Sequence, residues 1–382
     1  MSYLRQPPRA THIKMDAAAE RMFLYVIHDC EHQGAQLRMH CFNTLIQVYV
    51  YPGGENNDRE NNDRENTDTS VPPTAFHAVL HEIAAYLAQQ ELLLSRTRID
   101  SDVARAHIHA PAWIDVHMQT AQLIEQARQY VNESEGRFDL TMGTMTQLWD
   151  FHTGHVPPKY KLAQAREHVG MDKVCVQLLS HNHAQLCITD PDTVLDLGGI
   201  AKGACAAYLH RLLPSRGIHR YVLNLGGNVV VRGGRPCERE TNQSTQPHTG
   251  ESLIEPWRIG IVDPRNPDKH RAVLSMTKGS VATSGIHERS FMRGGVFYHH
   301  ILNPQTGMPA DTDLASASIV ADYPLDGDGY STTVLMLGAC AGLAFCEARS
   351  GIEAVLITKR NEVLYTSGLA GKIQILPSVY SG

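Results

Sequence analysis

No segment of this 382-residue chain approaches the roughly 20 uninterrupted apolar residues of a membrane helix, so no membrane segment is expected. Residues 1–23, MSYLRQPPRATHIKMDAAAERMF, lack an apolar signal-peptide core and a small-residue cleavage site. A cytoplasmic location is the expectation. Positive charge is not in excess either. Lys and Arg number 34 against 40 Asp and Glu, a net charge of −6, which argues against nucleic acid as a partner. None of the eight cysteines form a CxxC pair, and they sit among apolar neighbours. Buried free thiols in a reducing compartment are expected. What the chain does have is an ordinary globular balance, 42% hydrophobic and 19% charged, enough to bury a core without metal or disulfide staples. Its 21 histidines would turn the charge positive as pH falls through about 6.5.

The organisation along the chain is uneven. Residues 1–37 read as an N-terminal leader and 38–382 as one domain. Residues 54–73, GENNDRENNDRENTDTSVPP, repeat ENNDR in tandem and carry no apolar anchor, so a disordered surface insertion is expected there. Thr44–Tyr51 is β-branched and aromatic, a strand. Residues 75–95 and 115–132 carry apolar stripes at helical spacing. A hairpin is expected across 174–189 and a short strand at Val194–Leu197. A helix should run from near Ala201 and stop before Pro214. Strands are expected at Tyr221–Leu225, Val229–Val231, Trp257–Val262 and Leu274–Met276. Helices should follow near 328–338 and 340–349, then a last hairpin. This mixture lacks a regular βαβ alternation. It predicts an α+β fold of mixed, largely antiparallel sheets with packed helices.

Four segments carry chemistry. In VLDLGGIAKG, residues 194–203, an acid and two glycines precede a helix with Lys202 in its first turn. Such a turn suits phosphate, with Lys202 as a point charge; the plain alternative is a tight turn with a solvated lysine. In DGDGYSTTVLML, residues 326–337, Asp328, Ser331 and Thr332 share a helix face. Carboxylate and hydroxyl oxygens suit a hard cation such as magnesium that also binds a ligand phosphate. An Asp N-cap followed by Ser and Thr is the plain alternative. The Pro304, Gly307 and Pro309 loop follows His299 and His300. In an extended chain these histidines face opposite sides, and one of them can accept a hydroxyl proton. EGRFDLT, residues 135–141, is uninformative alone.

Taken in order, these segments resemble the FAD:protein FMN transferase family, also called the ApbE family. Its pattern runs G-x-F-D-P-T, D-L-G-G-I-A-K-G, N-L-G-G-[DN]-I, A-T-S-G, Y-H-H-I-[ID]-[DN]-P-x-T-G-x-P and D-A-L-[AS]-T. This chain offers Gly136–Thr141, Asp196–Gly203, Asn224–Val229, Ala282–Gly285, Tyr298–Pro309 and Asp328–Thr332. Residues 93–107 are similar to the family's L-S-x-Y-x-x-D-S-E stretch. The resemblance covers about residues 38–372 and implies an ApbE-like, T-fold-like architecture.

The resemblance also implies FAD as substrate, Mg2+ as cofactor and a partner flavoprotein as acceptor. The FMN part of FAD would pass to a Thr or Ser hydroxyl of that partner, releasing AMP. The backbone oxygen of Gly199 with Asp328, Ser331 and Thr332 would hold magnesium. Arg137, Phe138, Asp139, Asp196, Lys202 and Ile301 would contact the flavin nucleotide. His299 or His300 would be the base, with His300 preferred, and Lys202 would act on phosphate. The family's Met and Tyr at the flavin ring appear here as Phe42 and Thr97, Leu140 replaces Pro, and Gly329 and Tyr330 replace Ala and Leu. Losing a stacking face at Thr97 would cost about 0.5–1.5 kcal/mol. Two other readings stand beside transfer. One is an FAD pyrophosphatase with water as acceptor; the other is a flavin-binding protein without turnover.

Overall fold

Residues 23–53, 73–180, 182–236 and 255–377 are described by the structure, a computed structural model. The expected insertion, up to residue 72, and the polar stretch 237–254 lie outside them. The chain opens with β1 (Tyr25–Cys30), β2 (Gly34–Cys41) and β3 (Thr44–Tyr51), then α1 (Pro73–Leu94) and α2 (Asp102–Ile108). Next come β4 (Ile114–Val116), α3 (Met118–Glu133), α4 (Gly143–Thr146), α5 (Lys159–Arg166), β5 (Val174–Ser180) and β6 (His183–Ile188). The middle holds α6 (Ala201–Ser215), β7 (Arg220–Leu225), β8 (Asn228–Arg232), β9 (Trp257–Asp263), β10 (Asn266–Met276) and β11 (Lys278–Gly285). Last are β12 (Ser290–Arg293), β13 (Val296–His299), β14 (Leu314–Ala321), α7 (Pro324–Glu347), β15 (Ile352–Thr358), β16 (Val363–Tyr365) and β17 (Ile373–Ile375).

The fold is α+β. A nine-stranded sheet runs β1-β2-β3-β7-β8-β11-β14-β15-β16, with every neighbouring pair antiparallel. Helices α1 and α6 cover one end of it through Phe76, Leu80, Ile83, Leu209 and Leu213 packed on Leu37, Ile46, Val48 and Leu223. Helix α7 and α3 cover the other end. The small sheet β17-β10-β9 sits behind, with Ile261 and Leu274 against Val281, Val320 and Val355. Strand β14 is therefore buried along its whole length, which suits its small and apolar sequence, LASASIVA.

The leader boundary at 38 is corrected: it falls inside β2. Residues 25–37 belong to the sheet, and Ala35 and Leu37 are core residues. The first strands are hard to read because YVIHDC and GAQLRMHC mix His, Asp, Gln and Arg into an edge hairpin. Helix α6 also runs past its expected stop and contains Pro214 in its last turn. Proline there leaves the His210 carbonyl without its helical donor. The Tyr221 hydroxyl donates to that oxygen instead, at 3.1 Å. The expected thiol burial holds for Cys41, Cys187, Cys205 and Cys346, whereas Cys340 is exposed and Cys30 and Cys175 are half-buried.

Helix α7 spans both predicted terminal helices, which are separated by a break at Gly338 (φ 78°). The Asp313 carboxylate accepts the Ala339 N–H at 2.9 Å and so caps the second segment. By length and composition alone, α7 is the one helix among the described residues that could cross a membrane. In this fold it packs against β11, β14 and β15 and carries Asp326 and Asp328.

Two hairpin turns meet at one end of the large sheet. Phe42 and Asn43 join β2 to β3 with positive φ at both positions (54° and 56°), the geometry of a type I′ turn. A bulky residue is strained there. The Phe42 N–H is held by the Glu91 carboxylate at 2.8 Å. Gly226 and Gly227 make the neighbouring β7–β8 turn, and a Cβ on Gly226 would lie 2.4 Å from Thr44. The C-terminal end of β11 lies alongside, because Asn228 pairs with Ala282.

Candidate functional site

The segment 194–199 is not the expected strand; only an isolated parallel bridge joins Val194 to Met142. Asp196 is anchored by its N–H, which donates to the Leu140 carbonyl at 2.7 Å. Its Oδ1 accepts the Gly198 N–H at 2.8 Å and closes a tight turn. Gly198 and Gly199 are exposed, and the Phe138 ring backs them, 3.4 Å from where a Cβ on Gly199 would stand. Helix α6 begins just beyond with no side-chain cap. Lys202, in its first turn, donates to the Gly198 carbonyl at 3.2 Å.

Asp328 comes to this turn from α7. It is 9% exposed, and its Oδ2 accepts the Gly203 N–H at 2.6 Å while its Oδ1 accepts from Asn228 Nδ2 at 3.1 Å. Gly203 is glycine because a Cβ would stand 2.9 Å from Asp328 Cβ. The carboxylate meets neutral donors at the positive end of α6, not a cation. Burial raises its pKa, partly countered by Lys202. One turn on, Ser331 and Thr332 meet Ser284 of β11, with oxygens 2.9 and 3.1 Å from the Ser284 hydroxyl. Ser284 lies in the quoted A-T-S-G motif, yet nothing in its spacing marks it as a partner of α7. Asn228 Oδ1 is buried beside this group without a hydrogen-bond partner.

The two histidines diverge as an extended strand requires. His299, 3% exposed, lies toward Phe297, with ring centroids 6.0 Å apart. His300 meets the edge of Phe151 at 6.5 Å. Nδ1 of each is buried and has no hydrogen-bond partner. Burial pushes the His299 imidazole down to about 4, with Lys359 adding to the effect. Burial pushes His300 down to about 3, helped by Arg289 and, more weakly, by His299 and Lys202. Both rings are neutral at pH 7. The following loop is rigid: Gly307 has φ 66°, its carbonyl accepts the Trp149 indole N–H at 3.0 Å, and Ile301 beside it is buried.

The remaining predicted contacts spread further. Thr97 is exposed and, among the described residues, bonds only to Ser95. Phe42 is half-buried at its turn. The Asp139 carboxylate is taken up by its own loop, accepting from the Thr141 N–H and hydroxyl at 2.7 and 2.6 Å, and burial raises its pKa. Arg137 pairs with Glu135 at 2.9 Å and lines a cleft of about 210 Å³ with Asn303, Pro304 and Asp311. Neither Lys202 nor Asp328 lines that cleft.

The departures at Gly329 and Tyr330 have a packing cause. The Tyr130 ring lies where a Cβ on Gly329 would be, 2.4 Å away, and its hydroxyl donates to Asp326 at 2.6 Å. Tyr330 stacks edge-on against the same ring, with centroids 5.0 Å apart. Gly329→Ala is therefore expected to destabilise the fold by about 1–3 kcal/mol, the usual cost of overpacking. Adding Tyr130→Leu should recover part of the loss in urea denaturation. An unchanged midpoint for Gly329→Ala alone would show that the ring simply yields.

Comparison with known proteins follows the same outline. The profile of the ApbE family matches residues 43–356. The FAD:protein FMN transferase of Treponema pallidum (strain Nichols) is 32% identical over 317 residues, covering 80% of this chain and 84% of its own. A protein of the same name from Klebsiella pneumoniae (strain 342) is 29% identical over 308 residues, covering 79% and 89%. Among solved structures, the ApbE protein of Thermotoga maritima matches with a TM-score of 0.68 at 23% identity, covering 88% of this chain and 98% of that one. The flavin transferase ApbE of Vibrio cholerae matches with a TM-score of 0.68 at 22% identity, covering 89% and 99%. These two structures show the fold.

Proposed function

The chain belongs to the ApbE family, and from that premise we propose that it transfers the FMN moiety of FAD to a Thr or Ser hydroxyl of a partner flavoprotein, releasing AMP. The observation that carries this reading is the meeting of the α6 and α7 N-terminal turns. There a lysine, a buried carboxylate without a cation partner and three hydroxyls converge beside exposed glycines. Phosphoryl transfer asks a protein for positioning and charge neutralisation rather than covalent chemistry, and this set supplies both.

The donor set fits a hard divalent cation. Asp328 brings the charge, Ser331, Thr332 and the Gly199 carbonyl bring neutral oxygens, and the buried Asn228 Oδ1 adds an unpaired acceptor nearby. Magnesium bound there would neutralise phosphate oxygens. Lys202 holds the pyrophosphate next to the glycine turn. The acceptor oxygen bonds to the FMN phosphorus as that atom's bond to the bridging oxygen breaks. AMP leaves with the bridging oxygen, and the hydroxyl proton passes to a ring nitrogen of His300.

Incubation of the chain with FAD, magnesium and a flavoprotein acceptor tests this reading by mass spectrometry. The acceptor should gain FMN, and AMP should appear in equal amount. AMP with an unmodified acceptor would make the protein an FAD pyrophosphatase. Neither product would leave it a flavin-binding protein without turnover.

A further inference from the structure

The loop after α1 brings one arginine to the glycine turn. Arg96 Nε lies 3.8 Å from Asp196 Oδ2, and the two side chains are 30% and 33% exposed. Asp196 Oδ1 is already engaged by the Gly198 N–H, so Oδ2 faces the arginine. Arg96 Nη1 is buried and has no hydrogen-bond partner among the described residues. Leaving a buried charged donor unsatisfied is costly, and a bound ligand removes the cost. The loop is fixed in place by the Ser101 hydroxyl, which donates to the Ser95 carbonyl. No residue-type pattern in the sequence singles out Arg96.

The charge of the pair selects the ligand group. A phosphate beside Arg96 would also lie beside the Asp196 carboxylate and be repelled by it. A neutral group offering a carbonyl oxygen and an N–H side by side satisfies both residues. The pyrimidine edge of a flavin is such a group: an imide N–H flanked by two carbonyls. Lys202, bonded to the Gly198 carbonyl, has no carboxylate in hydrogen-bond contact and remains suited to phosphate. We propose that Arg96 and Asp196 form a clamp for the imide edge of FAD, with the guanidinium donating to a ring carbonyl and Asp196 accepting the imide N–H. This rests on the flavin-transfer reading above. It also makes Arg96 a specificity residue, standing next to Thr97, where no aromatic face is present.

Equilibrium binding of FAD and of ADP to the full chain tests the clamp. ADP carries the pyrophosphate without the flavin. Arg96→Ala should weaken FAD binding by about 10–100-fold, the range for a lost hydrogen bond to a charged group, and leave ADP binding unchanged. Arg96→Lys should recover only part, because an ammonium lacks the planar fork. FAD methylated at the imide nitrogen should bind the unaltered chain at least about tenfold more weakly, and this arm does not depend on any variant folding. Equal losses for FAD and ADP would make Arg96 a phosphate ligand. Unchanged FAD binding in Arg96→Ala, or undiminished binding of the methylated analogue, would overturn the clamp. Failure of the unaltered chain to bind FAD would instead overturn the flavin-transfer reading, and the clamp with it.

Discussion

Asp328→Ala is expected to abolish magnesium-dependent release of AMP while the chain stays folded. The carboxylate is buried, and among the described residues its only hydrogen-bond partners are the Gly203 N–H and the Asn228 amide. Burial raises its pKa, and Lys202 and these two dipoles counter that rise only in part. A cation held by Asp328 and Thr332 would contribute several kcal/mol to stabilising the transferred phosphoryl group, so its loss should cost at least about 1000-fold in rate. Asp328→Asn separates charge from shape. If the Asn228 amide turns over, its Oδ1 can accept the new amide N–H, but its Nδ2 then gives up the Pro324 carbonyl at 3.2 Å. That variant should stay folded with a somewhat lower melting temperature and lose magnesium-dependent turnover. The raised pKa fixes a sign for pH as well. Metal binding must displace a proton below that pKa, so apparent magnesium affinity should weaken as pH falls. Full activity of either variant, or magnesium affinity independent of pH, would remove Asp328 from the metal site.

Much of the candidate cluster around Lys202 and Asp328 is legible in the sequence because its residues come in short runs whose spacing is local. Lys202 follows the glycines within one helical turn, and Asp328 and Thr332 lie one turn apart. What stayed hidden depends on tertiary approach. Ser284 joins Ser331 and Thr332 only because β11 passes under α7, an approach allowed by Gly327, where a Cβ would stand 2.7 Å from Ala282. Arg96 gains meaning only from Asp196, a hundred positions away. Gly329 looks like a weakened motif until Tyr130 is seen in the space a side chain would need. The fold shows the same division. Hairpin turns with glycine pairs and β-branched strands were readable. The β1–β2 hairpin was not, since its polar residues mask the alternation. The continuation of α6 through Pro214 was not, since it depends on a hydroxyl from β7.

His300→Ala should lower the rate of FMN transfer by about 100-fold or more, the usual range for a general base, and His299→Ala far less. The structure separates the two rings. His300 feels Arg289 and, more weakly, Lys202 of the glycine turn, whereas His299 feels Lys359 and His287. Deleting His299 removes a buried ring, so its main effect should be lost stability, read as a lower melting temperature. FAD binding should survive both changes, because neither ring holds phosphate. The pH dependence carries a second test. With its pKa pushed down to about 3, His300 is neutral and able to accept a proton throughout the neutral range. The pyrophosphate of bound FAD would raise that pKa and strengthen the base when it is needed. Since kcat/KM reports the free enzyme, its acid limb should fall well below the ordinary histidine value of about 6.5. The same depressed values set the sign for stability. Below about 6.5 the unfolded chain binds protons that the folded histidines refuse, so stability should fall as pH drops from there toward about 4. An activity inflection near 6.5 that vanishes in His300→Ala would show that the ring is solvated. Equal, small losses in both variants would mean that the metal or another group activates the hydroxyl and that the histidines serve packing alone.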